Sequence, residues 1–326
     1  MNTDAQRQKN SVALLSVISN SVLVVFKLAV GVIIGSVSVI SEAIHSGMDL
    51  VAAVIALVAV RISGRSPDED HAFGHGKVED ISAAVEALLI VAAAAWIIYE
   101  AVMKLLSPHP IEGVSWGVLV MLISAIANLV VSQMLFKVGK KTESAALIAD
   151  GWHLRTDVYT SVGVMAGLGI ILVGERLLPG VNLYWLDPVA AIVVALLILR
   201  AALRLTIHAV RDLMDTSTSP LEKAWIRAYL KRLYPTVLSF HRLRTRKAGP
   251  ERFIDFHMVV HSDMTVSESH KIADKILEDF KAHFPNADVI LHIEPCDGKC
   301  SQACISGCLL SDEERAAIHL SRSHLS

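Results

Sequence analysis

The chain has 326 residues, of which 53% are hydrophobic and only 19% charged, with a formal net charge of −2 and a mean hydropathy of +0.51. Soluble domains carry about 25% charge, so this composition is short of water-soluble surface. It excludes a disordered chain, and its near-neutral balance excludes a polybasic nucleic-acid binder.

The averages mix two populations. About half of the charged residues crowd into residues 208–326, roughly the last third of the chain. The part before them reads as membrane and the rest as a soluble domain. Six stretches, near 11–34, 37–60, 81–105, 117–136, 145–173 and 188–205, are apolar enough to cross a hydrocarbon core, which takes about 20 helical residues. The first is not a cleaved signal peptide: it is too long, it carries Asn20 and Lys27, and no small-residue cleavage site follows it. Basic residues in the short loops set the orientation. Arg7, Lys9, Arg61, Arg65, Lys77, Lys137, Lys140, Lys141, Arg204 and Arg211 fall on one side, with little beyond Lys104 and Arg176 on the other. This places both termini in the cytosol. The expected division is a membrane domain at 1–207, a soluble domain at 208–295 and a tail at 296–326.

Ionisable groups inside membrane helices cost about 2.5–3.5 kcal/mol each on insertion scales and are usually functional. The second span contains His45 and Asp49 and the fifth contains His153 and Asp157, each as His-x-x-x-Asp. Residues four apart share a helix face, about 6 Å apart along the axis. Two facing helices then offer two imidazoles and two carboxylates, a tetrahedral set suited to Zn2+. The two carboxylates balance the dication where no water screens it. A private His–Asp hydrogen bond would explain one such pair, but hardly two matched pairs in two spans.

Between the second and third spans, Asp68, His71 and His75 gather one carboxylate and two imidazoles within eight residues. The spacing of the histidines fits one helical turn, whereas Gly74 and Gly76 argue for a loop. After Ser219-Pro220 comes an amphipathic helix, 221–233. Segments 238–245 and 253–260 alternate like strands across the turn-like 247–250. A second helix, 266–284, starts at Thr265 with Glu268 three residues on, and 288–294 makes a last strand. The order α-β-β-α-β gives a small open α/β sandwich. The tail then places Cys296, Cys300, Cys304 and Cys308 at four-residue intervals. A straight helix would spread them over about 18 Å, too far for one ion to take all four. The 4 cysteines are also too few for a disulfide framework, and disulfides are disfavoured in a reducing cytosol. Metal binding by adjacent thiols and an inert or redox-sensing tail both remain open.

The six spans, the paired intramembrane motifs and the cytoplasmic domain together resemble the cation diffusion facilitator family. The resemblance covers almost the whole chain and points to the bacterial branch that contains the ferrous-iron and zinc efflux pump. It implies a homodimeric, proton-coupled exporter in the bacterial inner membrane, moving Zn2+, with Cd2+, Fe2+ or Mn2+ as alternatives. It implies that His45, Asp49, His153 and Asp157 hold the transported ion. Asp68, His71 and His75 match a second, weaker metal position. His241, His257, His270, His292 and Glu294 match a regulatory zinc position in a metallochaperone-like domain that dimerises. This chain has His45 where the iron/zinc pump has aspartate, a change that members of the family link to zinc selectivity. It has Glu294 where that pump has aspartate, and the cysteine repeat is not part of the family pattern. His261 and His283 match nothing.

Two rival classes are weaker. A membrane-anchored metal sensor has no need of ligands at the midplane. An intramembrane metalloenzyme needs an open coordination position for water, which four protein ligands would fill. No phosphate-cradling glycine-rich loop ending in Lys-Ser/Thr appears, which argues against an ATP-driven pump.

Overall fold

The computed structural model describes residues 3–34, 37–106, 114–177 and 185–323; the side chain of Arg176 lies outside them. The chain divides into two compact units, Met1–Leu213 and Met214–Ser326.

The first unit consists of six long helices: α1 (Thr3–Ile34), α2 (Val37–Ser63), α3 (Lys77–Leu106), α4 (Val114–Thr142), α5 (Ala145–Leu177) and α6 (Leu186–Leu213). Among the described residues, α1 to α4 and α6 each contain a span long and apolar enough to cross a membrane. The remaining helix, α5, carries Asp150, His153, Arg155 and Asp157 in its first half. Burial runs opposite to that of a water-soluble bundle. Small residues such as Ala52, Ala53, Ala56, Ala87 and Ala94 fill the interior, while Val25 (67% exposed) and Leu197 (63% exposed) face outwards. Lipid is as apolar as leucine, so such helices associate through close contact of small residues rather than through hydrophobic exclusion.

The α4–α5 pair illustrates this. A Cβ added at Gly139 would lie 3.0 Å from Ile148, and one at Gly151 would lie 3.1 Å from Phe136. One helix end is also tied by a buried polar knot. Glu79 of α3 accepts from Lys9 Nζ of α1 at 2.6 Å and from Ser63 Oγ of α2 at 2.6 Å. Ser144 Oγ, just before α5, donates to its other oxygen.

In the second unit α7 (Pro220–Lys231), β1 (Ser239–Ala248), β2 (Glu251–Val260), α8 (Val266–His283) and β3 (Ala287–Pro295) follow the expected order. Both helices begin with a capping box, Ser219 with Glu222 and Thr265 with Glu268, which satisfies amide donors that have no partner within the helix. The sheet order is β1-β2-β3, the first pair antiparallel and the second parallel. Ile226, Leu230, Phe240, Phe256, Met258, Ile276 and Phe280 form the core between helices and sheet. Two further helices, α9 (Gln302–Ser306) and α10 (Asp312–Ser323), lie in the tail, where the sequence reading placed no element.

Candidate metal centres

Side chains alternate across a strand, so residues next to core positions point to the sheet's other face. Phe240, Phe256 and Met258 are core residues, which turns His241 and His257 away from the helices. Register does the rest. His241 pairs with His257, and His257 with His292, so three histidines stand in a row across three strands. The ring centroids are 5.1 Å and 4.8 Å apart. Glu294, two residues beyond His292, reaches back along this row. Its Oε1 lies 2.7 Å from His257 Nδ1 and its Oε2 lies 3.3 Å from His241 Nε2. His292 Nε2 is 3.7 Å from Glu294 Oε1. Ligand atoms of His241, His257 and Glu294 all fall within 4.8 Å of one another.

Burial holds the His241 imidazole below its ordinary range, although Glu294 works against this. Burial would raise the Glu294 carboxyl, but the hydrogen bond with His257 and the charges of His241, His257 and His292 overcome it, so the net shift is downward. Both shifts favour the metal-binding forms, neutral imidazole and ionised carboxylate. His270 stands apart: it faces solvent on α8 and pairs with Asp274, one turn on, at 3.6 Å. His283 instead stacks on Trp225 with centroids 3.8 Å apart.

In the first unit, α2 and α5 bring both His-x-x-x-Asp pairs together. Ligand atoms of His45, Asp49 and Asp157 lie within 4.8 Å of one another. His153 Nε2 is 3.2 Å from Asp49 Oδ1, and both side chains are buried. Asn128 of α4, which sequence reasoning missed, places Nδ2 3.4 Å from Asp157 Oδ2. Its only signal is an amide in a largely apolar span. These groups line a cavity of about 760 Å3 that Lys27 and Thr160 also border.

The Asp68 group sits in the turn between α2 and α3, with Gly74 at a left-handed φ of 78° that a helical turn would not allow. Asp68 Oδ1 accepts from the His71 backbone N–H at 2.7 Å and lies 3.4 Å from His71 Nδ1. Asp68 Oδ2 lies 3.3 Å from His75 Nε2. The backbone hydrogen bond from His71 leads the effects that hold the Asp68 carboxyl below its usual range.

All three groups share a feature. One buried histidine in each turns a single nitrogen to a carboxylate, while its other nitrogen, Nδ1 of His75, His153 or His241, has no hydrogen-bond partner among the described residues. A buried polar atom without a partner is costly, and a metal-binding histidine commonly has one nitrogen held by a carboxylate. The donor sets fit a divalent cation.

The four cysteines are free thiols and border one small cavity. Burial leads the effects that push the Cys304 thiol up, and the neighbouring Cys308, Cys300 and Cys296 add to it.

Comparison with known proteins places both units in one family. Residues 13–214 match the cation efflux transmembrane domain, and residues 219–296 match the cytoplasmic domain of cation efflux proteins. The chain is 34% identical over 271 residues to an uncharacterized transporter of Synechocystis sp., covering 83% of this chain and 85% of that one. It is 30% identical over 295 residues to the cation-efflux pump FieF of Klebsiella pneumoniae, covering 90% and 95%. Among solved structures, CzrB in its zinc form aligns at 36% identity, covering 27% of this chain and 99% of that one, with a TM-score of 0.25. The chain belongs to the cation efflux family, the cation diffusion facilitators, in the branch of the ferrous-iron and zinc efflux pumps. It is a multi-pass membrane transporter of metal cations with a cytoplasmic domain of the family's dimerising type.

Proposed function

We propose that this protein exports Zn2+ across the bacterial inner membrane in exchange for protons, with both termini cytoplasmic. The observation that carries this reading is the meeting of His45, Asp49 and Asp157 within 4.8 Å, with His153 on Asp49 beside them. Two imidazoles and two carboxylates make a borderline-soft set that suits Zn2+ better than harder cations such as Mn2+. Histidine titrates near neutrality, so an empty site picks up protons and a metal ion displaces them. That competition couples the two fluxes when the site opens alternately to each side. Asp68, His71 and His75 form a weaker capture position.

The cytoplasmic group serves regulation. Zinc held by His241, His257 and Glu294, with His292 beside them, offsets repulsion within the homodimer and tightens it. Crosslinking of cytoplasmic domains should rise with Zn2+, and a yield indifferent to Zn2+ removes this role.

The deciding experiment compares Zn2+, Cd2+, Fe2+ and Mn2+ flux in proteoliposomes for the native chain and Asp157→Ala. Native flux should be greatest for Zn2+ and should follow an imposed pH gradient, and the variant should lose it. Normal transport by the variant defeats the site assignment. Zn2+ flux indifferent to the gradient defeats proton coupling.

A further inference from the structure

We propose that the tail cysteines, Cys296, Cys300, Cys304 and Cys308, hold one divalent cation of the Zn2+ class as a four-thiolate centre that pins the tail to the edge of the sheet. The proposal is independent of the transport reading and uses none of its residues.

In one continuous helix the four thiols could not converge. The chain avoids this by breaking the run twice. Gly298 takes a left-handed φ of 74°, and α9 lasts only 5 residues before Gly307 ends it. Cys296 leaves the sheet at the end of β3, its N–H donating to Val260 O at 2.9 Å. Cys304 lies within α9, and Cys308 follows it as a bridge partner of Ser239. These breaks bring the cysteines to one cavity instead of spreading them along a helix. All four line a cavity of about 20 Å3 together with Ser239 and Arg315.

That volume suits a single ion or water and is far too small for an iron–sulfur cluster. The other three cysteines each make ionisation of the Cys304 thiol harder, and a shared cation would supply the charge that several thiolates need. Structural zinc sites often use four cysteines at similar spacings, and a four-thiolate set leaves no position open for catalysis. The centre would carry net negative charge, and the Arg315 guanidinium, which also pairs with Asp312, stands at the cavity wall.

The site is built into the fold rather than hung from it. Phe240 N–H donates to Gly307 O at 3.2 Å, and Leu309 N–H donates to Leu238 O at 2.9 Å. Ser239 Oγ donates to Cys304 O at 3.0 Å. The tail thus adds backbone hydrogen bonds along the free edge of β1, which would otherwise be an unpaired strand edge. Gly307 makes the approach possible: a Cβ there would stand 1.6 Å from Phe240 O.

The test uses the reduced, chelator-stripped full chain in detergent, titrated with Co2+ without oxygen. Thiolate-to-cobalt charge-transfer bands report sulfur ligation and are silent for the His/carboxylate groups, so failure here leaves the transport reading untouched. The expected result is one thiolate-bound Co2+ per chain, with the intense visible bands of tetrahedral four-sulfur coordination, displaced by Zn2+. Cys300→Ser should alter those bands. Gly307→Ala keeps every thiol but should weaken binding about tenfold or more, as loss of a supporting shell does. Three results overturn the proposal: no charge-transfer band, a band that Cys300→Ser leaves unchanged, or iron–sulfur absorption in the protein as isolated. Cobalt binding unaffected by Gly307→Ala also overturns it, because a loose tail would then suffice.

Discussion

At the residue scale, the transport group depends on which atoms face which. Asp49 is buried and paired with His153 Nε2 at 3.2 Å, whereas His45 is exposed to the cavity on the same helix. His45 is therefore the ligand that a substitution can change with least damage to packing. His45→Asp replaces a borderline ligand with a hard one and should broaden uptake towards harder cations such as Mn2+; an unchanged Zn2+/Mn2+ flux ratio in vesicles would contradict this. Asn128 supports Asp157 from a third helix. Asn128→Ala should weaken metal binding about tenfold or more through loss of that orienting donor, measured by titration with a competing chelator. The ligand types and spacing were legible in the sequence, because His-x-x-x-Asp recurs in two of the spans. Asn128 was not, because it belongs to no repeated spacing that could be read.

Elements add terms that single residues do not show. The Glu79 knot joins α1, α2, α3 and the start of α5. Glu79→Ala would leave the Lys9 ammonium buried without its partner, a loss of about 3–5 kcal/mol, seen as a lower melting temperature in detergent. In the soluble unit, Ser219→Ala removes one side of a capping box and should cost about 1 kcal/mol in a denaturant melt. Helices α7 and α8 are linked by Tyr229 OH, which donates to Asp279 Oδ2 at 2.6 Å. That bond, with Lys275, holds the Asp279 carboxyl below its usual range. The folded value is depressed, so the stabilisation is present above the ordinary aspartate value of about 4 and is lost as pH falls through the lowered value. Protection of α7 and α8 against hydrogen exchange, taken relative to the intrinsic rate at each pH, should fall in acid, and Asp279→Asn should flatten that dependence. The helices themselves were readable from apolar periodicity and their Ser219/Glu222 and Thr265/Glu268 starts. Their ends moved by a residue or two, since no strong stop residue marks them.

At the scale of the whole molecule, the hydrophobic, weakly charged composition is the average of two units with opposite surfaces. One turns valine and leucine outwards and keeps alanine within; the other has an aromatic core under charged helices. The run of long helices, the α-β-β-α-β order and the matched intramembrane pairs follow from the sequence alone. Hydropathy and spacing are local properties, readable without knowing what touches what. Tertiary structure decided which distant residues meet. Strand register set His241, His257 and His292 in one row and bent Glu294 back onto it, and the solvent-facing side of α8 left His270 apart. The same holds for the cysteines, whose even spacing suggests a helix that could not gather them. Glycine breaks and the edge of β1 draw all four around one cavity, because docking against a strand outweighs the local preference that a spacing pattern records.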